Sequence, residues 1–257
     1  MNFVDIHSHI LPAMDDGART LEDSVAMLRM AAEDGTTDIV ATPHANQEYL
    51  FDPEAIERKI AEVQMAAGPQ PRIHRGCDFH LTLENIKDAL RSPGKYAINH
   101  HCYLLVEFSD VLIPRATQQI FDRLQDAGLV PVVTHPERNL LLHTRLDHLQ
   151  SWVENGALVQ ITAQSLLGNF GRAAKSAAVE LMDRDLVHFI ASDAHDATHR
   201  PPLLSAAYAR VAKTWGHDRA ETLFVIAPKA AILGEPVSRP CAQPDSGKRR
   251  WYRLGFH

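Results

Sequence analysis

The sequence predicts an α/β barrel of seven strand–helix units, and three observations lead there. Short apolar, β-branched runs alternate with helical patterns, as parallel βαβ units require. With 257 residues, 45% of them hydrophobic, the chain can bury one large core in a single domain. Histidines and carboxylates recur at or just beyond the carboxyl ends of several predicted strands, where barrel enzymes gather their reactive groups. Periodicity alone would equally permit an open doubly wound sheet; the placement of these residues favours the barrel.

The predicted strands run over Phe3 to Ile6, Asp38 to Ala41, Ile73 to Cys77, Tyr103 to Glu107, Val130 to Thr134, Leu158 to Ile161 and Val187 to Ala191. A helix follows the first, opening on Thr20-Leu21-Glu22-Asp23, a capping-box pattern, with Leu21, Val25 and Leu28 on one face and Gly35 to end it. Asp52-Pro53 supplies an N-cap and a first-turn proline for a second helix, which runs to about Ala67. Pro114 opens a helix that Gly128 closes, Gly156 follows the next, and Gly171 to about Arg184 forms another. Pro201-Pro202 and Asp218 precede the terminal helices. The barrel is expected over residues 1–235. From Pro236 the text changes to prolines and polar residues, with Lys248, Arg249, Arg250 and Arg253 among Trp251, Tyr252 and Phe256, and reads as a basic, aromatic tail over 236–257.

A formal net charge of -6 argues against a nucleic-acid groove, which carries a basic excess. Cys77, Cys102 and Cys241 are too few and too scattered for a disulfide framework, consistent with a reducing compartment. The start has no basic leader followed by an apolar stretch, and no run is long enough to insert into a membrane, so a cytoplasmic location is expected. Histidine, at 15 residues, is the outlying count, and imidazole is the commonest metal ligand.

His7-Ser8-His9 follows the first strand, and side chains two apart on extended chain project to the same side, so both imidazoles can reach one ion. Asp15-Asp16-Gly17 comes next, then Thr42-Pro43-His44, Asp78, Val106-Glu107-Phe108, Thr134-His135-Pro136-Glu137-Arg138 and Ala191-Ser192-Asp193-Ala194-His195. Any one of them alone reads as a loop histidine or a solvated carboxylate. Recurrence at successive strand ends is what chance explains poorly.

In these motifs, together with Arg200-Pro201-Pro202, the chain resembles the capsule-biosynthesis branch of bacterial metal-dependent tyrosine phosphatases, within the polymerase-and-histidinol-phosphatase (PHP) superfamily, from Val4 to about Leu233. The resemblance implies a distorted TIM-like (β/α)7 barrel. It also implies three divalent ions held by His7, His9, Asp16, His44, Asp78, Glu107, His135, Asp193 and His195, with manganese favoured and iron or zinc compatible with an N/O donor set. Asp78 stands where the family usually has a bridging glutamate. His80, two residues on, reads as lining the mouth without metal. Four carboxylates against three divalent ions leave about two positive charges, or about one with a bridging hydroxide, which suits a phosphate dianion. Arg138 and Arg200 are the expected catalytic and phosphate-binding side chains, because guanidinium pairs bidentately with phosphoryl oxygens.

The expected reaction is attack of a metal-bridging hydroxide on phosphotyrosine. A cysteine-nucleophile route needs an arginine six positions after a cysteine, where Leu83, Phe108 and Gly247 stand. By resemblance, the partner is a phosphotyrosine protein, a membrane-associated tyrosine kinase of polysaccharide export. Competing readings are a small-molecule phosphoesterase such as a histidinol-phosphate phosphatase, and a non-catalytic metal-binding barrel. An amidohydrolase is disfavoured, since those enzymes often bridge metals with a carbamylated lysine and no lysine stands at these strand ends. His100-His101 precede the fourth strand and are expected, solvated, at the opposite face.

Overall fold

The computed structural model describes residues 1–237, so most of the expected tail lies outside the described residues. Two parallel sheets make up the wall. The first pairs β1 (Phe3–Ser8) with β2 (Thr36–Ala41) and β2 with a four-residue strand, Arg72–Arg75. The second runs in the order β3 (His44–Ala45), β5 (Asp78–His80), β6 (Tyr103–Glu107), β7 (Val130–Thr134), β8 (Leu158–Thr162) and β9 (Phe189–Ala191), with Arg72–Arg75 taken as β4. Among the described residues nine strands therefore stand for the expected seven, because two are interrupted.

Each interruption has a local cause. Pro43, between β2 and β3, has no N–H to give the ladder, although its carbonyl still accepts from Asp78 N at 3.2 Å. The strand expected at Ile73–Cys77 stops at Arg75 and resumes at Asp78. A Cβ at Gly76 would lie 2.7 Å from Val40 Cγ1, so only glycine permits this approach to β2. Between β1 and β9 the ring joins through a Ser8–Ala194 bridge and the bonds His9 N→Ala194 O and Asp193 N→His7 O, both 2.8 Å. The barrel is distorted and not closed by a continuous ladder.

The helices are α1 (Leu21–Asp34), α2 (Pro53–Ala67), α3 (Leu83–Arg91), α4 (Thr117–Asp126), α5 (Leu140–His143), α6 (Leu146–Glu154), α7 (Ala163–Leu167), α8 (Gly171–Asp183), α9 (Ser205–Trp215), α10 (His217–Glu221) and α11 (Ala227–Leu233). Both halves of the Thr20–Asp23 capping box form, and Gly35 takes the left-handed conformation that ends α1. The buried face of α1 is Ser24, Met27, Leu28 and Ala31, while Leu21 and Val25 are only half-buried at its edge. Pro114 does not start α4; its carbonyl instead accepts from Thr117 N and Oγ1, one turn ahead of the helix. Asp218 lies inside α10 rather than before it.

Val4, Ile6, Val40, Leu105, Val132, Leu158 and Phe189, from strands of both sheets, form one buried cluster inside the barrel, closed below by Ile98, Ala231 and Ile232. A larger cluster fills the layer between strands and helices and includes Cys77. His100 and His101 are exposed before β6, at the amino-terminal end of the barrel as expected. Thr20→Ala removes one half of the capping box and is expected to cost about 1 kcal/mol, read as a lowered midpoint in denaturant titration.

Candidate metal centre

The centre begins where β1 ends. Register between β1 and β2 shifts across the interval from Asp5 to Ser8, which contains the inward-facing Ile6, and His7 and His9 both turn into the mouth. Each ring is held from behind: His7 Nδ1 meets Gln160 Oε1 at 2.9 Å and His9 Nδ1 meets Asp15 Oδ2 at 2.7 Å. With their Nδ1 atoms engaged, the two rings bring Nε2 within 3.3 Å of Nε2. Partners of this kind set the tautomer and orientation of metal-binding imidazoles.

Asp15 is the principal residue that sequence reasoning passed over in favour of its neighbour Asp16. Besides His9, it accepts from Gly17 N at 3.0 Å and His44 N at 3.1 Å, tying three chain segments together. Gly17 has no alternative, since a Cβ there would lie 2.1 Å from the His9 carbonyl oxygen. The signal was present in Asp15-Asp16-Gly17, but adjacent aspartates cannot be told apart until the turn is folded. Gln160 had no sequence signal at all.

All nine expected positions face this one mouth. Asp16 Oδ1 lies 3.4 Å from both His44 Nε2 and His195 Nε2, and these three with His9 form a four-donor group. Asp78, wholly buried, places Oδ2 3.5 Å from His7 Nε2 and 3.3 Å from His44 Nδ1, and groups with His7 and His135. Asp193 Oδ1 stands 3.5 Å from Nε2 of both His7 and His9. Glu107 Oε2 is 3.4 Å from His44 Nδ1, its Oε1 is 3.7 Å from His135 Nε2, and His80 Nε2 touches Oε2.

Two donors sit on strained backbone. His135 (φ 34°) and Asp193 (φ 51°) both occupy the left-handed region at strand ends, a conformation that costs on the order of 1–3 kcal/mol per residue and clusters at functional sites. The fold holds them there by His135 N→Gln160 O and Asp193 N→His7 O, each 2.8 Å.

The electrostatics are those of a cation site. Burial would raise Asp78 and Asp193, but His7 and the surrounding imidazoles, with Arg138 at Asp193, hold both well below the usual carboxylate range. Hydrogen bonds from His195 and His44 likewise depress Asp16. Burial and the Asp78 charge raise Glu107. Burial, then Arg138, pushes His135 well down, and burial with the neighbouring His9 lowers His195, so both favour the neutral, ligating form. Both Asp78 oxygens and His44 Nδ1 are buried without a hydrogen bond among the described residues. Buried lone pairs left this way are costly unless a cation takes them. The donor set fits divalent ions.

Arg138 and Arg200 converge on the other Asp193 oxygen, Arg200 at 2.6 Å, with Arg138 stacked 4.5 Å over the Phe170 ring. A cleft of about 90 Å³ opens beside them, lined by Glu107, Phe108, Asp110, His135, Arg138 and Asn139 among others.

The family model for capsular polysaccharide synthesis proteins, CpsB/CapC, matches residues 3–233. The chain belongs to the CpsB/CapC family. Among its CpsB/CapC relatives, the CapC protein of Staphylococcus aureus is 34% identical over 256 residues, covering 98% of this chain and 99% of that protein. The tyrosine-protein phosphatase YwqE of Bacillus subtilis is 34% identical, covering 94% and 96%, and the tyrosine-protein phosphatase CpsB of Streptococcus pneumoniae is 30% identical, covering 91% and 100%. A solved structure from work on YwqE and CpsB, described as metal-dependent tyrosine phosphatases, superposes with a TM-score of 0.87 at 33% identity, covering 94% of this chain and 98% of that one. The lactonase Lmo2620 of Listeria monocytogenes, with a TM-score of 0.56 at 13% identity, shares the fold alone. Because Asp15 orients His9, Asp15→Ala in this CpsB/CapC chain is expected to lower divalent-metal affinity about 10- to 100-fold, measured by titrating metal-free protein.

Proposed function

We propose that this chain is a metal-dependent protein-tyrosine phosphatase. One observation carries the reading: nine cation-seeking side chains and two arginines converge at one barrel mouth, in a chain that curated tyrosine phosphatases match nearly end to end. His7, His9, Asp16, His44, Asp78, Glu107, His135, Asp193 and His195 would hold three divalent ions, with Mn2+ favoured and Fe or Zn suited to the same donors. Bound ions supply Lewis acidity, offsetting phosphate charge and acidifying a water towards neutrality.

The chain's own residues do the rest. Gln160 and Asp15 hold the rings of His7 and His9 so that their Nε2 atoms face the centre. Arg138 and Arg200, aligned by Asp193 and by the Phe170 ring, present N–H groups to the nonbridging phosphoryl oxygens. Tyrosinate, from a phenol of pKa about 10, leaves with less help from a general acid than an alkoxide needs. Among the described residues a thiolate nucleophile is poorly served, because burial pushes the Cys77 thiol well up and raises that of Cys102.

The proposed partner is a phosphotyrosine protein, and more narrowly a membrane-associated tyrosine kinase that regulates polysaccharide export; the CpsB/CapC family description supports the capsule context. Among the described residues no helix is long and apolar enough to cross a membrane. A cytoplasmic site of action fits a kinase tail as substrate.

Phosphotyrosine peptide is expected to be turned over with higher kcat/KM than histidinol phosphate, and exhaustive chelation to abolish both reactions until Mn2+ is restored. Preference for histidinol phosphate would reassign the chain to small-molecule hydrolysis, and activity that survives chelation would remove the metal mechanism. Arg138→Ala is expected to lower kcat roughly a hundred- to a thousandfold, as for loss of one preorganised donor to a developing charge, in steady-state assays at saturating Mn2+.

A further inference from the structure

His80 stands outside the nine donors above, yet the fold aims it at the same mouth. It ends β5, two residues beyond Asp78, so the two side chains share the face of the strand turned to the centre. The residue between them, Phe79, is fully buried the other way, 5.0 Å from the Tyr96 ring. Across the ladder His80 pairs with Glu107 of β6, as Asp78 pairs with His44 of β3, so register alone brings the imidazole beside that carboxylate.

The position is locked. Asn85 Nδ2 donates to the carbonyls of Ala45 at 2.7 Å and His80 at 3.0 Å, binding the ends of β3 and β5 together. Thr82 N donates to the same His80 carbonyl at 2.8 Å. Both strand ends that carry His44 and His80 are therefore fixed before any ligand arrives.

Glu107 and His44 need what His80 offers. Glu107 Oε2, already in contact with His80 Nε2, lies 3.4 Å from His44 Nδ1, which is buried without a hydrogen bond among the described residues. Two donors do not make a cation site. Asp78 Oδ2, 3.3 Å from His44 Nδ1, also groups with His7 and His135, whereas His80 lies within 4.8 Å of both Glu107 and His44.

We propose that His80 is a tenth metal ligand, completing with His44 and Glu107 an outer sub-site of two imidazoles and one carboxylate for a divalent cation of the Mn2+, Fe2+ or Zn2+ type. This rests on the reading that the centre binds divalent ions. Two histidines and one carboxylate are a donor set that such a cation would accept, and His80, a quarter exposed, adds its imidazole at the solvent-facing edge of the mouth.

The test is a Mn2+ titration of metal-free, full-length protein, with free Mn2+ read by electron paramagnetic resonance, on wild type, His80→Ala and His80→Gln. His80→Ala is expected to weaken one class of bound Mn2+ by tenfold or more, with the other classes and the thermal unfolding of the metal-free protein unchanged. His80→Gln separates ligation from positioning, because its amide N–H can still hold Glu107 without adding charge while an amide is a far poorer ligand than imidazole; it is expected to be as weak as His80→Ala. Wild-type affinity and stoichiometry in His80→Ala would overturn the proposal, as would their return in His80→Gln, and either result leaves the phosphatase reading standing. If His80→Ala does not fold, His80→Gln alone decides in the same way. A wild-type protein that binds no divalent ion under any condition would sink both.

Discussion

A dense set of lone pairs aimed at a common point, and buried with too few protons to satisfy them, is the constraint on which the rest of this structure depends. Among the described residues Asp78 is wholly buried with neither oxygen in a hydrogen bond, and His44 keeps an unbonded Nδ1 beside it. Such an arrangement is unfavourable for a protein alone, because buried carboxylates repel one another and lose hydration. It becomes coherent when positive charge enters the middle. Arg138 and Arg200 neutralise part of Asp193 from one side, and imidazoles crowd the rest.

The fold is shaped to tolerate that crowding. Strand interruptions at Pro43 and Gly76-Cys77 let His44 and Asp78 start new strand segments at the mouth, so each side chain is placed by its own short register. His135 and Asp193 bend into the left-handed region just past β7 and β9, and β1 carries a register shift between Asp5 and Ser8, the interval that contains His7. The irregular backbone that carries the donors gathers at the carboxyl end of the barrel, while the interior below it is apolar. Stability and chemistry thus occupy opposite ends of one cylinder.

Behind the donors lies a second layer that decides how they point. Asp15 gathers His9, Gly17 and His44 on one carboxylate, and Gln160 fixes His7. Glu137, from the same motif as His135, is fully buried and accepts from Thr162 N and Ser165 Oγ, pinning the β7 loop to the end of β8. These residues touch no substrate in the proposed reaction, yet they set angles that the first layer cannot set for itself.

Local signals carried much of this. The capping box at Thr20, the Asp52-Pro53 start and the alternation of apolar runs with helices follow from short-range chemistry and needed no tertiary information. His7, His9, His44, His135 and His195 were legible as candidates because they stand next to strand ends, and strand ends in an α/β fold share one side. Tertiary structure alone could show which of two adjacent aspartates supports His9, that Gln160 backs His7, that two strands break in the middle, and that His80 faces Glu107. Those outcomes depend on register and on contacts between segments more than a hundred residues apart, such as His7 with Gln160, and no pattern along the chain encodes a distance across it.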